Sequence, residues 1–122
     1  MSEPELLIPV EGPRTVVLER RRSVRTACRL MAVFEPLGDN VEVGQPATVV
    51  NISTGGIALH TGCRLQRGLL LFVEFANASN THSRKMMVRV VHERPVRLSG
   101  GWIVGCAFAH PLTEFEIAEF LG

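Results

Sequence analysis

Tyrosine is absent from this 122-residue chain, tryptophan occurs once, lysine once as Lys85, and aspartate once as Asp39. Each scarcity narrows what the chain can do. Without tyrosine there are few stacking platforms for single-stranded nucleic acid, and a formal net charge of +1 gives no general pull on a polyanion. A small RNA- or single-strand-binding barrel is therefore disfavoured, and no specific nucleic-acid partner is expected. The lone aspartate falls in a turn, and no His, Ser or Cys stands in a recognisable nucleophile setting, so the chain does not read as an enzyme. Cysteine is sparse too: Cys28, Cys63 and Cys106 are an odd number scattered through apolar runs, which suits reduced thiols better than a disulfide framework. His60-x-x-Cys63 has the spacing of half a metal site. Structural zinc usually recruits two such pairs, and with one pair no metal is expected. The longest aliphatic-aromatic run, Leu69 to Val73, is far too short to span a bilayer. The acidic start Met1-Ser2-Glu3-Pro4-Glu5 has no apolar signal region after it, so the expected location is the cytoplasm.

What the chain has instead is arginine. With one lysine among 13 basic residues, nearly all the cations are guanidinium groups, which grip phosphates and base edges at two points and stack on rings. They concentrate in Glu19-Arg20-Arg21-Arg22-Ser23-Val24-Arg25, just ahead of the first run that reads as a strand. The length suits one domain, and the 46% apolar content supports a packed core.

The N-terminal stretch 1–18 carries Pro4, Pro9, Pro13 and Gly12 and reads as a flexible arm, with Leu6-Leu7-Ile8 its only segment with reason to dock. From Glu19 onward the pattern is β. Strands are expected over Val24–Phe34, Ala47–Ile52, Ile57–His60, Leu69–Phe75, Arg84–Arg94 and Trp102–Phe108, with Val41–Val43 a short strand or loop edge. Gly100-Gly101 suits a hairpin turn that needs positive φ. After Pro111, Thr113 followed three residues later by Glu116 is a capping-box signature and announces a short C-terminal helix. Six short strands at regular spacing and one closing helix indicate an all-β, six-stranded antiparallel barrel of Greek-key type over residues 19–122. Trp102 reads as a core or hairpin-flanking aromatic.

Two segments look like the halves of one site. Arg21 and Arg25 lie four apart around the entry to a strand, where both guanidiniums can converge on one anion, and arginine also matches the O6/N7 edge of guanine. In Asn51-Ile52-Ser53-Thr54-Gly55-Gly56, a strand–turn–strand, Asn51 donates and accepts, Ser53 does either, and the glycines permit close backbone approach. Either half alone is ordinary. Together, Arg21-x-x-x-Arg25, Asn51-x-Ser53-x-x-Gly56 and Gly105-x-x-Phe108 resemble the PilZ domain family, from about Glu19 to Leu121.

That resemblance implies a receptor for the bacterial second messenger cyclic di-GMP, acting without a cofactor. On the family pattern Arg21 and Arg25 grip phosphate and guanine, Asn51 and Ser53 hydrogen-bond a guanine, and Gly56 leaves room for the ring. Arg20, an added guanidinium, suits a stacked pair of ligands with four phosphate charges. Ligand binding is expected to order the arginine arm and to signal through a separate effector protein. The alternative is a PilZ-like adaptor that works through protein contacts with no nucleotide.

Overall fold

Leu30, Ala32 and Phe34 are buried, while their neighbours Met31 and Val33 are exposed. A period of two is what a strand with one face on a core and the other in solvent imposes. The computed structural model describes residues 24–38 and 44–122. It forms six strands, β1 (Thr26–Pro36), β2 (Gln45–Ile52), β3 (Gly56–Thr61), β4 (Leu70–Ala76), β5 (Ser83–Pro95) and β6 (Trp102–Phe108), followed by one helix, α1 (Glu114–Leu121). The arm over 1–18, the arginines Arg20 to Arg22, Asp39 and the expected edge at Val41–Val43 lie outside the described residues.

Neighbouring strands pair antiparallel in the order β1-β2-β3-β6-β5-β4, and β4 closes the barrel against β1. After the β1-β2-β3 meander the chain returns to lay β4 beside β1, the Greek-key connection expected from the sequence. Closure leaves no unpaired edge among these strands. The inward residues form one core, with Phe34, Phe75, Ile52, Ile57, Leu59 and Leu71 among its fully buried members.

The strand boundaries differ from expectation at a few ends. Pro46 lies inside β2, opposite Val33, rather than ahead of it. It is the second residue of the strand, near an end where a missing N–H is tolerated. β1 begins two residues later and ends two residues later than the sequence suggested, at Thr26 and Pro36.

The β5–β6 hairpin turns through Gly100 and Gly101, with φ of 78° and 82°. Helix α1 has both bonds of its capping box: the Glu116 N–H donates to Thr113 Oγ1 at 3.0 Å, and the Thr113 N–H donates to Glu116 Oε1 at 2.8 Å. Phe120 on this helix packs on Phe75 with ring centroids 4.8 Å apart, closing one end of the barrel. The segment before the helix holds the β2–β3 turn at the same end. The Leu112 N–H donates to the Thr54 carbonyl and the Phe108 N–H to the Gly55 carbonyl, both at 2.9 Å. Among the described residues, no helix is long and apolar enough to cross a membrane.

Candidate functional site

The β1–β2 register sets Thr26 opposite Ile52 and Ala27 opposite Asn51, so the chain entering β1 runs beside the end of β2. Arg25 is thereby brought to Asn51, from which it is separated by 26 residues. Its Nη1 donates to Asn51 Oδ1 at 2.7 Å, on the exposed surface. Among the described residues the amide NH₂ of Asn51 and the remaining guanidinium donors of Arg25 have no other partner and can meet a ligand. The structure thus joins one arginine of the first segment to the asparagine of the second; Arg20 and Arg21 lie outside the described residues.

Ser53 has a different situation. It is only 2% exposed, and its hydroxyl oxygen accepts from the N–H groups of Gly55 at 3.3 Å and Gly56 at 3.2 Å. The hydroxyl in turn lies 3.4 Å from the Gly56 carbonyl, and the Ser53 N–H donates to that carbonyl at 2.9 Å. These bonds shape the turn that carries Asn51. Gly56 is also demanded by packing: a Cβ there would sit 2.1 Å from the Cys106 carbonyl oxygen, so β3 can approach β6 only with glycine at this position. That demand holds with or without a ligand.

Gly105 explains a residue the sequence did not single out. A Cβ on Gly105 would meet the Cε1 and Nε2 atoms of His92 at 2.3 Å, so the His92 ring lies across this glycine. Following the pairings across the sheet gives one transverse row, Ala27, Asn51, Ala58, Gly105 and His92. The adjoining row nearer the turn runs Gly56, Ala107 and Arg89. Small residues of β3 and β6 therefore floor the outer surface between Asn51 on one side and Arg89 and His92 on the other. Among the described residues neither Arg25 nor Arg89 is in an ion pair. No sequence signal could have placed His92 here, because a register shift between Val90 and His92 decides which β5 side chain faces Gly105.

Other groups belong to the scaffold. Arg64 pairs with Glu93 at 2.9 Å and lies over the Trp102 ring at 5.6 Å. The hydrogen bond and charge of Glu93 push the Arg64 pKa up. Trp102 is thus a half-buried aromatic flanking the hairpin. Burial pushes the Cys106 thiol up to about 12 and raises that of Cys28 as well. His60 Nε2 lies 3.1 Å from the Gly100 carbonyl. Among the described residues no three His, Cys, Asp or Glu side chains converge on a possible metal position. A concavity of about 730 Å³ lies further along the outer face, where Met31, Val33, Pro46, Thr48 and His60 help line it. It contains neither Arg25 nor Asn51, so volume and motif point to different places, and the converging polar groups are the better guide to a charged ligand.

The family model of the PilZ domain matches residues 19–121. Among solved structures, the inhibitor of motility MotI/DgrA from Bacillus subtilis is similar at 22% identity with a TM-score of 0.63, over 83% of this chain and 48% of that one. The chain spans about half the length of that protein. The PilZ domain of YcgR from Escherichia coli, solved with c-di-GMP, is similar at 17% identity with a TM-score of 0.61, over 82% of this chain and 86% of that one. At these identities the two structures establish a shared fold. No curated protein sequence matches the chain.

Proposed function

The chain belongs to the PilZ domain family, and on that premise we propose that it is a cyclic di-GMP receptor that passes its signal to a protein partner. The observation that carries this reading is the 2.7 Å contact of Arg25 with Asn51, a guanidinium meeting an amide across 26 residues of sequence. A guanidinium next to an amide, above a floor of Ala and Gly, suits a ligand that combines phosphate with a base edge. The YcgR domain of the same fold, solved with c-di-GMP, supports the choice of ligand.

In this reading Arg21 and Arg25 hold phosphate and guanine, and Asn51 hydrogen-bonds a guanine edge. Ser53 contributes chiefly by fixing the turn, since its hydroxyl is already engaged there. Gly56 lets β3 and β6 close into the floor. Arg20 adds positive charge for a second, stacked ligand. Neutralising the arginine cluster orders it and draws residues 1–18 over the barrel, changing the surface presented to an effector. The work is reception rather than chemistry, and it takes no cofactor. MotI/DgrA, which shares the fold and is named as an inhibitor of motility, supports a regulatory output.

The test is equilibrium binding of labelled cyclic di-GMP with unlabelled GTP as competitor, alongside limited proteolysis of the 1–18 segment. Saturable binding that GTP does not displace, with ligand-dependent protection of the segment, is the expected result. Binding at one ligand per chain, unchanged by Arg20→Ala, would remove the stacked pair. Absence of binding by a folded protein would favour the nucleotide-independent adaptor.

A further inference from the structure

We propose that the apolar segment Leu6-Leu7-Ile8 docks on the outer face of β1 and β2, over Met31 and Val33; this rests on the cyclic di-GMP reading, in which ligand draws residues 1–18 over the barrel, and names where they land. Arg29, Met31 and Val33 alternate with buried residues on the outer face of β1, where Met31 is 71% and Val33 47% exposed. The register puts Thr48 beside Met31 and Pro46 beside Val33, and these four residues line the concavity of about 730 Å³. Polar groups rim it: His60 and the Gly100-Gly101 turn line it as well, as do Glu74 and Ser83, whose hydroxyl donates to the Glu74 carboxylate at 2.9 Å. An apolar patch with a polar rim is the pattern of a contact surface.

The chain itself supplies the occupant. From Val24 to Met31 the backbone runs seven residues along β1, about 23 Å. Ile8 lies sixteen residues ahead of Val24, a stretch that spans up to about 53 Å, enough to turn back and reach Met31. Val16-Val17-Leu18, a second apolar stretch, does not have that reach: Leu18 is six residues from Val24, about 20 Å at full extension. Charge agrees with the assignment. Glu5 and Glu11 bracket the segment, and the exposed Arg29 beside Met31 has no carboxylate partner among the described residues. Pro9 and Pro13 lessen the conformational freedom that docking must remove.

The experiment follows isotope-labelled methionine methyl groups of the full chain by nuclear magnetic resonance during titration with cyclic di-GMP, the Met31 signal being identified by its loss in Met31→Leu. Ligand should move the Met31 signal in the native chain but not in the Leu6→Ser/Leu7→Ser/Ile8→Ser variant, which should still bind. Bound ligand should also slow thermolysin cleavage within Leu6–Ile8 by about tenfold, because cleavage follows the population of the open form. Met31→Ser/Val33→Ser should abolish that protection and, with both positions exposed, keep the native melting temperature. If the native chain binds but its Met31 signal stays still or moves equally in the Leu6/Leu7/Ile8 variant, or if protection survives Met31→Ser/Val33→Ser, the docking site is wrong and the receptor reading stands. A Met31 shift that disappears when the protein is diluted at saturating ligand would put a second copy on this face and likewise overturn the proposal. If the native chain fails to bind cyclic di-GMP, both fall.

Discussion

Arg25 and Asn51 meet at 2.7 Å although 26 residues separate them, and the contact lies in solvent on the rim of the barrel. An exposed pair of this kind adds at most about 1 kcal/mol to stability. Its removal should therefore be felt in binding and not in folding. Arg25→Ala is expected to keep a native-like melting temperature and to lose cyclic di-GMP binding at least tenfold. Asn51→Asp should tighten binding, because a carboxylate accepts more strongly than an amide from the guanine N1–H and N2–H₂ edge. Melting curves and titrations of the two variants check this pair of outcomes.

Ser53 and Gly56 should behave in the opposite way. Ser53→Ala leaves the N–H groups of Gly55 and Gly56 without their hydroxyl acceptor and is expected to cost about 1–3 kcal/mol. Gly56→Ala drives a methyl into the Cys106 carbonyl and should cost about 1–3 kcal/mol, or more if β3 cannot shift away from β6. Denaturant unfolding measures both losses. Equal stability of Gly56→Ala and the native chain would contradict the packing described here.

The helix cap gives a pH-dependent signature. The Thr113 N–H, and after it the Arg84 side chain, holds the Glu116 carboxyl below its ordinary value of 4.5. A carboxyl lowered on folding stabilises the native state above its unfolded pKa, and that contribution disappears as pH falls through the lower folded value. Glu116→Gln should therefore lower the melting temperature at neutral pH and flatten its decline below about pH 4.5. Thr113→Ala should cost about 1 kcal/mol through loss of the cap. Melting temperatures of both variants across the acid range provide the check.

Thiol labelling should separate the three cysteines. Cys63 is exposed, whereas burial holds the Cys106 thiol at about 12 and keeps it protonated at neutral pH. Alkylation of the native protein followed by peptide mass spectrometry should find Cys63 modified first and Cys106 last, with all three labelled after unfolding.

The barrel was legible in the sequence because its signals are local. The β-branched and apolar run over 24–34, the glycine pair at 100–101 and the Thr113/Glu116 box each act within a few residues. The motif halves could be read for the same reason. What the sequence did not disclose depends on pairing between distant strands. Ser53 appears in the chain as a polar turn residue, but only the fold shows its hydroxyl turned inward onto Gly55 and Gly56. Gly56 reads as permissive backbone, while the reason glycine is required is the Cys106 carbonyl on another strand. His92 sits in a run with only partial alternation, and its place beside Gly105 follows from a register shift that composition does not encode. Pro46 looks like a strand boundary by itself, yet the pairing with Val33 carries β2 past it.

The central claim is tested most directly by calorimetric titration of the purified chain with cyclic di-GMP, beside Arg21→Ala and Asn51→Ala variants of native melting temperature and with GTP as the control. The account requires saturable heat from the native chain with cyclic di-GMP, none with GTP, and its loss in both variants. A native chain that releases no heat and gains no thermal stability at high ligand concentration, or variants that bind as well as it does, would contradict the receptor function.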